Sequence, residues 1–424
     1  MSAPLLLLLI AATASEPAVP EPLARYLRAA RENNLTVEIA RAQLSQASAQ
    51  RDQALGSLLP GLSLEAIYTR NQYESSVQSP GLRIIIGLRD SVVARAALNV
   101  PIFDLPSYSR YWASGHALEA AREAVDASLL DVELAVVEAY YQVVANQGLV
   151  AAARRAVEVA QESERLARVR FEAGTVTMLA VDTARVDRAR AEQNLIAARR
   201  SLAVASRNLA TLTRLPEPGE LPEPVAPVPS ELTEEAFVQR ALERRAEIAR
   251  QSALLRQATA SRSEAWGPLV PTLSGFLREN YSNAAGFVGN EFFWEAGFRL
   301  DWRVDLSIIG AVRQVDAQIR EQEARLQQTI DTVRDQVHTA WLDVRANLSR
   351  LEVARVEESS ARDALEITRA RYEAGTATSF ELSQAQSDAF SADANLVQAR
   401  ADLAYSMLVL QKASGLSLLA EDGE

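Results

Sequence analysis

The chain is written twice. Arg170-Phe171-Glu172-Ala173-Gly174-Thr175 recurs as Arg371-Tyr372-Glu373-Ala374-Gly375-Thr376, an offset of 201 residues. From Arg170 to Leu209 against Arg371 to Leu410, 16 of 40 positions are identical without a gap. The same offset holds upstream, where Ala139-Tyr140 answers Ala340-Trp341 and Asp104 answers Asp305. The first third of each half matches less closely: Gly56 to Pro60 resembles Gly267 to Pro271 at an offset of 211. Self-similarity of this kind marks a repeated architecture. It divides the chain into 15–215 and 231–415, with a connector at 216–230 and a tail at 416–424. The connector is dense in proline and glutamate. Proline blocks helix and favours an extended chain, so the segment is either a flexible linker or a packed belt.

Within each half, apolar residues recur every seven positions. Leu129, Val136, Val143, Val150 and Val157 form one line, and Val125, Val132, Ala139, Asn146 and Ala153 lie four residues before each. That is a coiled-coil seam. The second half repeats it with Ile330, Val337, Val344 and Leu351 beside Leu326, Val333, Ala340, Asn347 and Ala354. Even the polar position recurs, as Asn146 and Asn347, and an asparagine buried in such a seam is expected to fix register. No proline interrupts 107–171 or 307–372. At 1.5 Å per residue each predicted helix is roughly 100 Å long. Each stops at Ala-Gly-Thr, where Gly174 or Gly375 can take the left-handed conformation that ends a helix. The two tips are thus 173–176 and 374–377. Return helices are predicted over 178–213 and 380–414. Helices over 23–58 and 234–266 complete an antiparallel partner if stacked end to end with them.

Over 61–104 and 271–305 the period changes to two. Trp294, Ala296, Phe298, Leu300 and Trp302 alternate with Glu295, Gly297, Arg299, Asp301 and Arg303. Leu62, Leu64, Ala66 and Tyr68 alternate with Ser63, Glu65, Ile67 and Thr69, and Val92 to Val100 behaves likewise around Arg95. The stretch 273–278 is weaker, with Gly275 on the apolar face and Phe276 on the other. Each segment is about 10 residues, the length of a tilted transmembrane strand. Aromatics gather at both ends, Tyr68, Tyr73, Phe292, Phe293 and Trp294 at one and Trp302, Tyr108, Tyr111 and Trp112 at the other, as interfacial girdles do. Arg95, Glu295, Arg299, Asp301 and Arg303 are the candidate lumen residues. Four strands leave two open edges, which hydrocarbon does not tolerate, and they are too few to close a barrel. A membrane reading therefore requires a barrel shared between chains, and three copies supply twelve strands. The alternative is a pair of water-exposed hairpins lying on helices.

Several chemistries are excluded. With 44 basic and 55 acidic residues the net charge is −11, so the chain has no general attraction for nucleic acid. There is no cysteine, hence no disulfide, thiolate nucleophile or thiolate metal site, and a lipid-modified N-terminal cysteine is not expected. His116 and His338 are not repeat equivalents and lack partners at metal-ligand spacing. No phosphate loop, dinucleotide fingerprint or zinc motif is present. The expectation is no enzyme, no cofactor and no metal. Leu5 to Ala12 is an apolar run followed by the cleavage pattern Ala12-Thr13-Ala14. Residues 1–14 therefore read as a signal peptide, although Met1 to Pro4 carries no Lys or Arg. No later segment is an uncharged apolar run of the length a spanning helix needs, so a membrane crossing by helix is not expected.

The doubled Arg-aromatic-x-x-Gly-Thr tips, Asn194-Leu195 with Asn395-Leu396 downstream, and Pro101-Ile102-Phe103-Asp104 where strand meets long helix resemble the TolC family of outer-membrane efflux proteins. The resemblance covers nearly the whole chain after residue 14. It implies a mainly α fold with a small β part: a homotrimer with four transmembrane strands per chain in a twelve-stranded outer-membrane barrel, long coiled-coil helices forming a periplasmic α-barrel, and the Pro-rich region in an equatorial belt. It further implies that the tips, with Arg170, Gly174, Thr175, Arg371, Gly375 and Thr376, meet a periplasmic adaptor. That adaptor leads to an inner-membrane RND, ABC or MFS pump. Family members narrow the entrance with acidic rings six and nine residues past the second-repeat glycine, here Glu381 and Gln384. The aromatic three residues before that glycine is Tyr372. The arginine that some members place two residues after it is Ala377 here, which puts a salt-bridged lock in doubt. Three Glu381 carboxylates on a threefold axis are expected to raise one another's pKa or to recruit cations. Two other readings compete. A soluble coiled-coil scaffold explains the heptads but not the Trp-bounded alternation. A passive pore has no need of such long helices.

Overall fold

The computed structural model describes residues 21–222, 233–283, 290–304 and 306–419. Residues 1–14, expected to be a signal peptide, residues 223–230 of the connector, Asp305 and residues 420–424 of the tail lie outside the described residues. The elements run α1 (Glu21–Asn33), α2 (Leu35–Gly56), β1 (Gly61–Arg70), β2 (Ser75–Ser79), β3 (Leu82–Gly87), β4 (Asp90–Phe103), α3 (Leu105–Glu172) and α4 (Met178–Thr213). The second half follows with α5 (Glu234–Arg244), α6 (Ala246–Trp266), β5 (Thr272–Ser282), β6 (Phe292–Asp301), α7 (Ser307–Glu373) and α8 (Ser379–Ala413). The chain is mainly helical with a small antiparallel sheet, as the two periods predict. It divides into two compact units.

One unit is drawn from Met1–Ile39, Asp126–Arg245 and Thr332–Glu424. Its core is the heptad seam closed by the shorter helices. Val136 and Val143 of α3 pack with Leu23 and Leu27 of α1 and Leu209 of α4, all fully buried. Toward the tip, Val150 and Ala153 meet Ala198 of α4, and in the second repeat Leu351 and Ala354 of α7 meet Leu396 and Leu403 of α8. Tyr140 and Tyr141 stand edge to face with ring centres 5.4 Å apart, a favoured aromatic geometry. Burial pushes both hydroxyls up to about 12. A fully buried carboxylate, Glu133, pairs with Arg31 of α1 and accepts the Leu418 N–H at 3.4 Å, while Arg31 also donates to Ser417 at 2.7 Å. This network ties the segment after α8 to α1 and α3. The connector over 216–222 is held too: Gln147 donates to the Gly219 carbonyl at 2.7 Å and accepts the Leu221 N–H at 3.0 Å.

The other unit is drawn from Ala40–Val125 and Ala246–Asp331. Its sheet has the order β1-β4-β5-β6, antiparallel throughout. Its helical segments are bridged by Arg110–Glu264 at 2.9 Å, Arg256–Glu119 at 2.7 Å and Arg262–Asp316 at 3.0 Å. Among the described residues no helix is long and apolar enough to cross a membrane.

Four sequence expectations are corrected. The single helices predicted over 23–58 and 234–266 are each broken, at Asn34 and Arg245, positions related by the 211-residue offset. Asn34 is buried. Its side chain donates to the Leu212 carbonyl at 2.9 Å and accepts the Thr36 N–H at 2.8 Å, which caps α2. Arg245 has extended backbone angles and a buried guanidinium that donates to Gln336 at 2.7 Å. Both breaks turn a polar side chain into the packing. The seam asparagines do not act alike. Asn146 donates to Gln142 of its own helix at 2.7 Å, whereas Asn347 reaches Asp402 of α8 at 3.5 Å. A second sheet, β2–β3, turns at Pro80-Gly81, where Gly81 has φ +84°. It was not expected because its strands are short and unpatterned. Trp302 and Arg303 fall beyond the end of β6.

Candidate functional site

The first candidate site is the pair of tips. At each, the last turn closes in the Schellman pattern. Gly174 N–H donates to the Phe171 carbonyl at 2.9 Å and Thr175 N–H to that of Arg170 at 2.9 Å. In the second repeat Gly375 donates to Tyr372 at 3.0 Å and Thr376 to Arg371 at 2.9 Å. The glycines have φ +71° and φ +76°. Only glycine takes that conformation without a Cβ clash. Both threonine hydroxyls also donate back, Thr175 to Arg170 at 3.0 Å and Thr376 to Arg371 at 3.1 Å. The repeat has thus folded twice with nearly the same bonds.

The arginines break this equivalence. Arg170 crosses to the other tip. Its Nη1 donates to the Tyr372 carbonyl at 2.5 Å, its Nη2 donates to the Glu373 carbonyl, and the guanidinium lies 4.9 Å from the centre of the Tyr372 ring. Tyr372 is only 4% exposed. Arg371 stays on its own tip, with the Thr376 carbonyl 3.5 Å away.

The return helices start differently. Thr177 caps α4 without a side-chain bond. Thr378 caps α8 in a full capping box, in which cap and third residue satisfy each other's backbone N–H. The Glu381 N–H donates to the Thr378 hydroxyl at 3.2 Å, and the Glu381 carboxylate accepts the Thr378 N–H at 2.6 Å. The backbone N–H and then the hydroxyl of Thr378 hold the Glu381 carboxyl below the usual glutamate range. In the single chain this is opposite in direction to the shift expected of a carboxylate ring. Gln384, one turn on, is exposed and donates to Asp388 at 2.8 Å.

Sequence reasoning missed a charged hub near the tips. Glu164 is buried on α3, with Arg168 at 2.9 Å, Arg188 of α4 at 3.1 Å and Arg185 of α4 at 3.8 Å. The signal was available: Glu164 is the next seam position after Val157. Between the two hairpins lies a cavity of about 330 Å³ lined by residues that include Arg155, Arg362, Phe390 and Asp393. Its three arginines are already paired, Arg155 with Asp393 at 2.5 Å, Arg190 with Asp187 at 3.8 Å and Arg362 with Glu358.

The second candidate site is the sheet. Register places Leu62, Leu98, Leu277 and Ala296 in one row, and Leu64, Ala96, Glu279 and Trp294 in another, on one face. Glu279 is the charged residue among these. The opposite face carries Glu65, Arg95, Asn280, Arg278, Glu295, Arg299 and Asp301. Arg95 donates to Asn280 at 3.0 Å and lies 3.4 Å from Glu65. Each is its direct cross-strand neighbour, the closest pairing a sheet offers. Arg278 and Arg299 flank the Phe276 ring at 4.5 and 5.9 Å. Arg95, Glu295, Arg299 and Asp301 therefore share one polar face. Trp294, Phe298 and Leu300 on the other face are exposed in the single chain.

A protein-family model described as outer membrane efflux protein matches residues 26–213 and 237–416. The chain belongs to the outer membrane efflux protein family. Solved structures show the same fold. The Vibrio cholerae outer membrane protein VceC superposes with a TM-score of 0.79 at 18% identity, covering 94% of this chain and 97% of that one. The Campylobacter jejuni CmeC outer membrane channel gives 0.79 at 18% identity, over 93% and 86%. The open state of the Neisseria gonorrhoeae MtrE outer membrane channel gives 0.76 at 18% identity, over 93% and 89%. No curated protein sequence matches the chain. Family and fold make this protein an outer-membrane efflux channel. Its two histidines are paired with carboxylates, His116 with Glu119 at 3.4 Å and His338 with Glu234 at 2.7 Å.

Proposed function

We propose that three copies of this efflux protein form the exit duct of a tripartite efflux or type I secretion system. The observation that carries the reading is the sheet: an apolar face exposed to the surroundings, a polar face behind it, and outer strands β1 and β6 that each pair on one side only among the described residues. In lipid such edges must be closed, and four strands cannot close on themselves. Three sheets joined edge to edge bring Arg95, Glu295, Arg299 and Asp301, with Arg303 at the mouth, to a water-filled lumen. Residues 61–104 and 271–305 then lie in the outer membrane, the helices in the periplasm, and 216–230 in the equatorial belt. Residues 1–14 are removed on export.

The tips carry the partner surface. Phe171, Met178, Leu179 and Phe380 are exposed there, and exposed apolar groups at a rigid end suit a protein partner. The partner is a periplasmic adaptor that leads to an inner-membrane RND, ABC or MFS pump. Tyr372, Glu381 and Gln384 form the entrance constriction. Adaptor binding opens it by favouring the open over the closed arrangement. The channel does no chemistry of its own. Cell fractionation followed by native mass in mild detergent tests this. A three-chain outer-membrane species is expected, and a soluble monomer or dimer would mean a scaffold instead. Glu381→Ala is expected to raise basal conductance in planar bilayers.

A further inference from the structure

The repeat makes a demand that one chain does not meet. Arg170 of the first tip caps the last carbonyls of α7, where a cation also opposes the negative end of the helix dipole. At the 201-residue offset Arg170 maps to Arg371, and Tyr372 and Glu373 map to Phe171 and Glu172. The same contact is therefore encoded a second time. Within one chain Arg371 is exposed and stays with its own tip: the Thr376 carbonyl lies 3.5 Å from its guanidinium, and its charge acts on Glu381. The Phe171 carbonyl accepts the Gly174 N–H just as the Tyr372 carbonyl accepts that of Gly375. A carbonyl oxygen has two lone pairs, so Phe171 keeps the one that Arg170 uses at the other tip.

The helix faces behind the tips show the same imbalance. α3 and α8 cover one another: a Cβ at Gly148 would lie 2.5 Å from Val397, and Ala152 is 2% exposed. The repeat counterparts on α7 and α4 are Ser349, Val353 and Ile196, and both Val353 and Ile196 are 67% exposed. Equivalent positions are covered, wholly or in part, where the chain supplies a neighbour and bare where it does not. The Arg155–Asp393 ion pair maps to Val356 and Glu192, so that contact does not recur. The tip arginine is the charged contact that does.

We propose that Arg371 donates to the carbonyls of Phe171 and Glu172 of the partner subunit, a second copy of this chain, with α7 seated on the partner's α4. The inference rests on the ring of copies proposed above and adds the residue that closes it. Arg170 links tips within a subunit and Arg371 links them between subunits, so every tip in the ring is capped by the arginine of its neighbour. Opening the entrance then requires both kinds of link to give way.

The cysteine-free chain makes a direct test possible. The full-length protein carrying Arg371→Cys and Glu172→Cys is treated in its detergent-extracted form with a short bis-maleimide. Denatured bands of two and three chains are expected. The control, Arg170→Cys with Glu373→Cys, should crosslink within one chain and show no larger band. A three-chain native mass, with the control linked but the test pair linked only within chains or not at all, overturns the proposal and leaves the ring intact. A one-chain native mass overturns the ring and the proposal together. If the double variant does not reach the membrane, Arg371→Ala and Arg371→Lys serve instead. Basal conductance several-fold higher in both is expected, because lysine cannot reach two carbonyls as a planar fork does. Unchanged conductance in both overturns the proposal.

Discussion

The guanidinium of Arg170 lies 4.9 Å from the centre of the Tyr372 ring and donates to that residue's carbonyl at 2.5 Å, joining two tips 202 residues apart in sequence. One side chain thus makes a cation–π contact and caps a helix. Arg170→Ala is expected to cost about 1–3 kcal/mol of tip pairing. Tyr372→Leu, which keeps the carbonyl, should cost about 0.5–1 kcal/mol. Amide hydrogen exchange over residues 370–376 measures both, and equal protection in all three proteins would contradict the link.

Two glycines of α3 give opposite predictions. Gly148→Ala drives a methyl into Val397 of α8. Forcing such an overlap costs about 1–3 kcal/mol. At Gly115 an added Cβ meets nothing within 4 Å. Gly115→Ala should therefore stabilise by about 0.5–1 kcal/mol through helix propensity alone. Thermal unfolding of the two variants should shift in opposite directions.

The α8 capping box gives a pH signature with a built-in control. The Glu381 carboxyl sits below its ordinary value. Its contribution is thus present above the unfolded pKa and is lost as pH falls through the folded one. Fraying of residues 379–382 should therefore grow as pH drops below about 4.3. The α4 start has Ala180 at the equivalent position and should show no such dependence. Hydrogen exchange against pH at both helix starts reads the difference.

Glu133 is buried with Arg31 as its charged partner. Glu133 is the fully buried member, so Arg31→Met, which strands it, should cost about 3–5 kcal/mol. Arg31→Met with Glu133→Leu should recover much of that loss, because neither charge is then buried alone. Denaturant midpoints of the single and double variants form the check.

Neighbouring positions on β6 should respond oppositely. Phe298 is on the apolar face and Arg299 on the polar one. In the proposed barrel Phe298→Arg places a charge on the lipid side, which costs about 2–4 kcal/mol near the bilayer midplane, and should reduce the yield of assembled protein. Arg299→Ala should assemble normally and change ion selectivity in planar bilayers.

Much of this was legible in the chain because the relevant physics is local. Gly174 and Gly375 announce helix ends through their freedom at positive φ. The valine heptads announce a seam, and the alternation around Trp294 announces a two-faced strand. What was missed has a common cause. Asn34 and Arg245 sit inside good helical pattern, and only the partners at Leu212 and Gln336 explain why the helix breaks there. Asn146 occupies the same seam position as Asn347 yet bonds to its own helix. Glu164 was readable as a charge in a seam, but not its three arginines.

The sequence by itself determined the doubled plan, the helix ends at the two tips, the seam and the two faces of β1, β4 and β6, because period and backbone preference are carried by residues that are close along the chain. Tertiary structure decided the strand order β1-β4-β5-β6, the approach of Gly148 to Val397, and the asymmetry by which Arg170 crosses to Tyr372 while Arg371 stays at home. Those outcomes depend on which surfaces lie side by side. Two halves with nearly the same local code meet different neighbours, and the neighbour sets what an identical arginine can reach.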